Sequence, residues 1–165
     1  MTIKEPDAPV PRIRSATLAD AEPISGLIKL FSYTYLVSPT PAETEAFLAT
    51  LSAPAMRILL ARRDIDYVVA EDPSIGVLAG VAGMRADGQL MHLFVHLDYQ
   101  RRGLGRRLWE HLRDRAIRGG HSGSFKVSSS LNAMPVYERF GFVISGPRRE
   151  KDGGVSVPMT CTRYR

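Results

Sequence analysis

The chain holds a single cysteine, Cys161, among 165 residues. No disulfide can form within it, which predicts a reducing, cytoplasmic setting and makes Cys161 a packed residue rather than a nucleophile. No run approaches the roughly 18 apolar residues of a membrane span. The opening stretch, MTIKEPDAPVP, lacks the apolar segment of a secretion signal. Internal repeats and low-complexity segments are missing too. So are two familiar phosphate signatures, the GxxxxGK loop followed by Ser or Thr and the GxGxxG dinucleotide fingerprint. No basic run is interleaved with aromatics, so nucleic acid ranks below a phosphorylated cofactor as the partner of whatever positive charge the chain carries.

Hydrophobic residues make up 44% and charged residues 24%, an ordinary globular composition. The length suits one domain with a full core. Residues 1–11 contain three prolines and little apolar content and read as a flexible arm, leaving 12–165 as the domain. The net charge of +5 is concentrated. Between Tyr99 and Arg118 seven arginines face only Glu110 and Asp114, which equals the excess of the whole chain. Such a segment attracts a polyanion, although Arg113, Arg115 and Arg118 read as a solvated helix face.

Periodicity places a strand at Arg12–Ala16 and a helix from Ala21 to about Ser32, with Ile24, Leu27, Ile28 and Phe31 on one side. Thr40 and Ser52 are caps for two further helices. Tyr33 or Tyr35, between the first two helices, is a candidate for lining an acceptor pocket. Strands follow at Tyr67–Asp72, Gly76–Arg85 and Gln89–His96, with a hairpin turn at Asp87-Gly88. The glycines at 80 and 83 suggest close approach or strong curvature in their strand. Leu104, Leu108 and Leu112 mark a helix packed on a sheet, with Trp109 in the core. Phe125–Ser130 is a fifth strand, Asn132 is a cap for the last helix, and two final strands flank a polar loop, residues 146–154.

The segment QLMHLFVHLDYQRRGLGRRLWEHL organises these elements: a strand, a short turn and a basic amphipathic helix. Gly103 and Gly105 admit close backbone approach. The unpartnered N–H groups of the helix start favour a phosphate or pyrophosphate. About thirty residues later comes Asn132 followed by Tyr137-Glu138-Arg139-Phe140-Gly141-Phe142. In this order, separation and strand–helix frame, the two motifs resemble the paired acyl-CoA motifs of the GCN5-related N-acetyltransferase (GNAT) superfamily.

That resemblance implies a single α/β (α+β) domain. Its sheet would be mixed and mostly antiparallel, of six to seven strands, with helices on both faces and a splay between strands 4 and 5. It implies acetyl-CoA as co-substrate, with no metal, and transfer of the acetyl group to a primary amine, of a small molecule in the first instance. Gln100, Arg101, Arg102, Gly103, Leu104, Gly105 and Arg106 would bind the pyrophosphate. Phe94 and Val95 would offer backbone groups to the pantetheine arm, and Asn132 would touch the cofactor. Tyr137 would stand at the thioester sulfur and protonate the leaving thiolate.

Gln89 stands where some members of the superfamily carry a glutamate, and it cannot serve as a base. His92 is the candidate substitute, and deprotonation through water is the alternative. Three readings compete with small-amine transfer: a non-catalytic acyl-CoA-binding module, acetylation of a protein N-terminus or lysine, and acetylation of aminoacyl-tRNA. A homodimer is compatible with the superfamily.

Overall fold

The computed structural model describes residues 9–34, 36 and 39–162. Residues 1–8 of the expected arm, and Tyr35, lie outside the described residues. The elements run β1 (Arg12–Ser15), α1 (Ala21–Lys29), α2 (Pro41–Thr50), α3 (Ala53–Ala61), β2 (Ile65–Glu71), β3 (Leu78–Arg85), β4 (Gln89–Val95), α4 (Leu104–Arg118), β5 (Phe125–Ser129), α5 (Met134–Arg139), β6 (Val143–Ile144), β7 (Arg149–Lys151) and β8 (Gly154–Cys161).

The strands form one sheet in the order β1-β2-β3-β4-β5-β8-β6, with β7 pairing β8. Every pairing is antiparallel except β4 with β5. This is the α/β architecture expected from the motifs, with one strand more than the upper count. The extra strand, β7, lies in the stretch read as polar loop: Arg149–Lys151 folds back on β8 through Asp152-Gly153, both at positive φ. All three of its residues are exposed, so no hydrophobic alternation announces it.

Each face of the sheet carries its own core. Leu104, Leu108, Trp109 and Leu112 of α4, Tyr137 of α5 and Phe140 just after it bury one face against Val68, Ala82, Phe125 and Met159. Ile24, Leu27 and Ile28 of α1 and Met56 of α3 cover the other against Tyr67, Val69, Val81 and Phe94. Trp109 is fully buried as expected, in edge contact with Phe125 at 5.1 Å. Its Nε1 is the one buried side-chain nitrogen or oxygen without a hydrogen-bond partner among the described residues.

The two β3 glycines serve opposite faces. A Cβ on Gly80 would lie 2.9 Å from Leu108, so the bare position lets α4 settle on the sheet. A Cβ on Gly83 would lie 2.2 Å from the ring of Tyr67. Close approach is thus the reason for both: side chains at each, and at Gly80 the Phe94 carbonyl as well, 3.1 Å from the Cβ position.

Helix α1 ends at Lys29, earlier than its apolar spacing suggests, and a single 3₁₀ turn at Ser32–Thr34 follows. Thr40 and Ser52 cap α2 and α3 as expected, accepting from Glu43 N–H and Ala55 N–H. Ahead of α1, Asp20 accepts from Arg14 at 2.8 and 2.9 Å and from Thr17 N–H at 2.7 Å. The Arg14 hydrogen bonds hold its carboxyl below the ordinary carboxylate range. A depressed folded pKa stabilises the fold above the unfolded value of about 3.9 and stops doing so as pH falls through the folded value. Asp20→Asn is expected to cost about 1–3 kcal/mol at pH 7, with the difference from the parent closing as pH falls through the folded value. Urea unfolding across that pH range checks it.

Candidate active site

Strands β4 and β5 pair only at Gln89↔Lys126 and Leu90↔Val127. Beyond Leu90 they part, and the gap opens between the rest of β4 and Ser128–Ser129. A bulge occurs at the same place: Met84 pairs with Leu90 and Gly83 with His92, so Met91 is the extra residue. Gln89 lies at the closed end, its amide 3.4 Å from the Leu90 carbonyl.

The ladder decides which backbone groups face the gap. His96 N–H donates to the Ala79 carbonyl at 2.8 Å while Val95 pairs with Gly80. Val95 therefore sits in a wide pair whose own N–H and C=O point away from β3. Alternation gives Leu93 the same orientation and turns the N–H and C=O of Phe94 toward β3. Of the two β4 residues expected to offer backbone groups to a pantetheine arm, Val95 thus faces the gap and Phe94 pairs with β3, while Leu93 faces the gap as Val95 does. Phe94 instead contributes its ring to the α1–α3 face, 5.5 Å from Phe31 and 5.9 Å from His92.

Gln100, in the turn after β4, reaches back to the strand. Its Nε2 donates to the Val95 carbonyl at 2.9 Å, which fastens the turn to the end of β4 and leaves the Val95 N–H as that residue's gap-facing group. A 3₁₀ turn at Leu97–Tyr99 leads in, held by Tyr99 Oη donating to the buried Asp72 at 2.6 Å. His96 accepts from Asp98 N–H there, a structural part consistent with its place at the strand end.

Arg101 and Gly103 take left-handed conformations, at φ 63 and 77. The Arg107 N–H donates to the Gly103 carbonyl at 3.1 Å and starts the helical ladder. The N–H groups of Leu104, Gly105 and Arg106 precede it and carry the positive end of the dipole. A Cβ at Gly103 would meet nothing within 4 Å. One at Gly105 would lie 3.7 Å from Val95 and 3.9 Å from Phe140, ordinary contact distances. The fold tolerates a methyl at 105. Gly105→Ala is expected to leave Tm within about 2 °C while weakening acetyl-CoA binding roughly tenfold; calorimetric titration beside a melt checks both.

The arginines divide by position. Arg106 lies 5.1 Å over the Phe140 ring and donates to the Arg139 carbonyl at 3.0 Å, joining the start of α4 to α5. Arg102 lies over Tyr99, and Arg101 and Arg102 are exposed at the turn. Further along, Arg115 pairs with Asp66 at 2.8 Å and Arg113 with Asp114 at 2.8 Å. Arg115 is thereby joined to β2, more than a solvated face requires, while Arg113 pairs with its neighbour on the same helix. A groove of about 720 Å³ at the far end of α4 is bordered by Arg63, Asp64, Arg85 and Arg115. Ion pairs with aspartates occupy Arg85 and Arg115 there.

The other wall is α5. Tyr137 is buried in the α4–α5 core, its ring 5.6 Å from Phe142 and 6.2 Å from Phe140. Asn132 is exposed in a 3₁₀ turn, Leu131–Ala133, and Ala133 occupies the cap position of α5. Asn132 therefore does not cap that helix.

On the face of the sheet opposite α4 and α5, Lys126 and Ser128 of β5 are exposed. His92 is half-buried between Tyr67 and Phe94, its Nδ1 2.9 Å from Tyr67 Oη. Burial pushes its pKa down to about 4, so the ring is neutral at pH 7 and does not titrate in the range expected of a base. Tyr33 is 68% exposed. The β7–β8 turn meets the segment before α2, with Leu36 bridging Gly154 and the Gly153 Cβ position 2.8 Å from Glu43. No signal in the sequence singled out Tyr67; a search for a partner of His92 across the hairpin would have reached only Gly83.

Comparisons with known proteins agree with this geometry. The family model described as "Acetyltransferase (GNAT) domain" matches residues 35–163. No curated protein matches the chain. Among solved structures, the PaiA N-acetyltransferase of Thermoplasma acidophilum, in complex with coenzyme A, shares 16% identity over 92% of this chain and 98% of its own, with a TM-score of 0.75. A GCN5-related N-acetyltransferase from Rhodopseudomonas palustris shares 21% over 96% and 99%, at 0.73. An aminoglycoside 6'-N-acetyltransferase complexed with coenzyme A shares 15% over 93% and 98%, at 0.71. At these identities the likeness is one of fold.

Proposed function

The chain belongs to the acetyltransferase (GNAT) domain family, and on that premise we propose that it moves an acetyl group from acetyl-CoA to a primary amine by direct attack in a ternary complex. The observation that carries this reading is the parted β4–β5 pair beside a turn with free helix-start amides. Two of the solved structures with this fold hold coenzyme A. The amides of Leu104, Gly105 and Arg106 would take the pyrophosphate, with Arg101 and Arg102 adding charge at its edge. Leu93 would offer backbone hydrogen bonds to the pantetheine arm, which leaves the Val95 N–H for the thioester oxygen, and the exposed Asn132 lies on the turn entering the α5 wall.

The chemistry follows from where charge develops. The neutral amine nitrogen attacks the thioester carbonyl carbon, and the carbonyl oxygen becomes an oxyanion. The Val95 N–H stabilises it. The C–S bond then breaks with its electron pair on sulfur, and Tyr137 gives the thiolate its phenolic proton. The amine, titrating near ~10.4 when lysine-like, loses its proton to water. A ring with a pKa of about 4 is too weak to hold that proton.

A compact amine suits the acceptor side best. The contact between the β7–β8 turn and the segment before α2 bounds the approach at one end, and Glu43 stands at that contact to meet a cation. One relative of the same fold is an aminoglycoside acetyltransferase.

The test is release of free CoA thiol from acetyl-CoA, with and without a panel of aminoglycosides, polyamines, amino-acid amides and lysine peptides. Amine-dependent release is expected, strongest with compact polyamines or aminoglycosides. Release driven only by the peptides would overturn the small-molecule reading. Tight acetyl-CoA binding with no release on any amine would overturn transfer.

A further inference from the structure

Three strands bring one row of residues together on the acceptor face. Tyr67 of β2 pairs with Gly83 of β3, and Gly83 pairs with His92 of β4. The ring of Tyr67 lies across the space that a Cβ at position 83 would fill, since that atom would fall 2.2 to 2.6 Å from three of its carbons. The missing side chain at 83 lets a tyrosine span the intervening strand. Its hydroxyl ends 2.9 Å from His92 Nδ1.

The direction of that hydrogen bond follows from the donors and acceptors present. Tyr67 is only 5% exposed. Its phenol stays protonated, because burial raises its pKa well above the ordinary tyrosine value. A buried O–H needs an acceptor, and leaving it without one is costly. Among the described residues, His92 Nδ1 is the acceptor in reach. If Tyr67 donates to Nδ1, the single proton of the neutral imidazole sits on Nε2. That nitrogen has no hydrogen-bond partner among the described residues, yet it does not count with the buried unpartnered atoms. It is left as an unpartnered position on the face of the sheet opposite α4 and α5.

We propose that Tyr67, lying over Gly83, is a positioning residue that fixes His92 as an Nε2–H hydrogen-bond donor to the acceptor substrate, in place of the general-base role its position on β4 suggests. His92 lies three residues before Val95, about 10 Å along an extended strand. An N–H there meets an oxygen on the body of the acceptor, a hydroxyl or carbonyl, while the amine reaches the thioester near Val95. The proposal rests on the acetyl-transfer reading and adds a selection rule to it: acceptors carry a hydrogen-bond-accepting oxygen several bonds from the reacting amine.

The experiment has two parts. Nitrogen-15 NMR of the full chain reads the His92 tautomer without any ligand. The Nε2–H form is expected in the parent. Tyr67→Phe keeps the ring and removes the hydroxyl, and it is expected to give a mixture of tautomers with an unchanged acetyl-CoA affinity. An Nδ1–H form in the parent, or an unaltered tautomer in Tyr67→Phe, would overturn the proposal.

The second part measures kcat/KM for the best amine of the panel. A glutamine can donate from its amide but cannot serve as a base. His92→Gln is therefore expected to retain at least tenfold more activity than His92→Ala, the worth of one hydrogen bond at a binding site. Equal losses would overturn the donor role. Because the tautomer is read with no substrate, a failure here is distinguishable from a failure of acetyl transfer, which would appear as no CoA release in the parent.

Discussion

Tyr137→Phe is expected to lower kcat by about a hundredfold while leaving acetyl-CoA affinity and fold nearly unchanged. The magnitude is that of a positioned proton donor, commonly 10²- to 10⁴-fold, taken at its lower end because water can also protonate a thiolate. A thiol titrates near ~8.5 and a phenol near ~10, so the proton moves only as negative charge builds on sulfur. The interaction belongs to the transition state and reports in kcat. Phenylalanine suits the test because the ring of Tyr137 is buried against Phe140 and Phe142, and those contacts survive. Thiol release at saturating acetyl-CoA, with a thermal melt beside it, is the measurement. A kcat within threefold of the parent would assign Tyr137 to the core alone.

The parts legible in the sequence are those set by neighbouring residues. The glycine turn, the caps Thr40 and Ser52 and the leucine stripe of α4 each depend on a few consecutive positions. They stand in the structure where spacing placed them. The parts that needed coordinates are set by register. Whether Phe94 or Leu93 turns its backbone to the gap depends on which β4 residues fall in narrow pairs with β3, and the bulge at Met91 shifts that parity. The Tyr67–His92 contact spans 25 residues and two strand pairings. Strand β7 has no apolar face to advertise it. In the same way, Arg115 reads as a solvated charge until Asp66 of β2 is seen 2.8 Å away. Sequence gave the residue types for the chemistry; pairing gave their directions.

The Val95 N–H invites a more severe test. Proline removes a backbone donor, and in most strand positions it also breaks the ladder. At 95 the N–H faces the gap, so the pairing with Gly80 loses no hydrogen bond. Val95→Pro is expected to fold and to lower kcat by about 10²- to 10³-fold, the usual effect of deleting one oxyanion donor. Val95→Ala supplies the control, since it keeps the N–H and removes only the side chain that packs toward Gly105 and α5; its kcat is expected within about tenfold of the parent. Both variants would be assayed at saturating acetyl-CoA, with affinity measured separately, so that a lost pantetheine contact shows in Kd and a lost oxyanion contact in kcat. If proline and alanine cost the same, the oxyanion is held by another group, and Leu93, the other β4 residue whose backbone faces the gap, becomes the position to test.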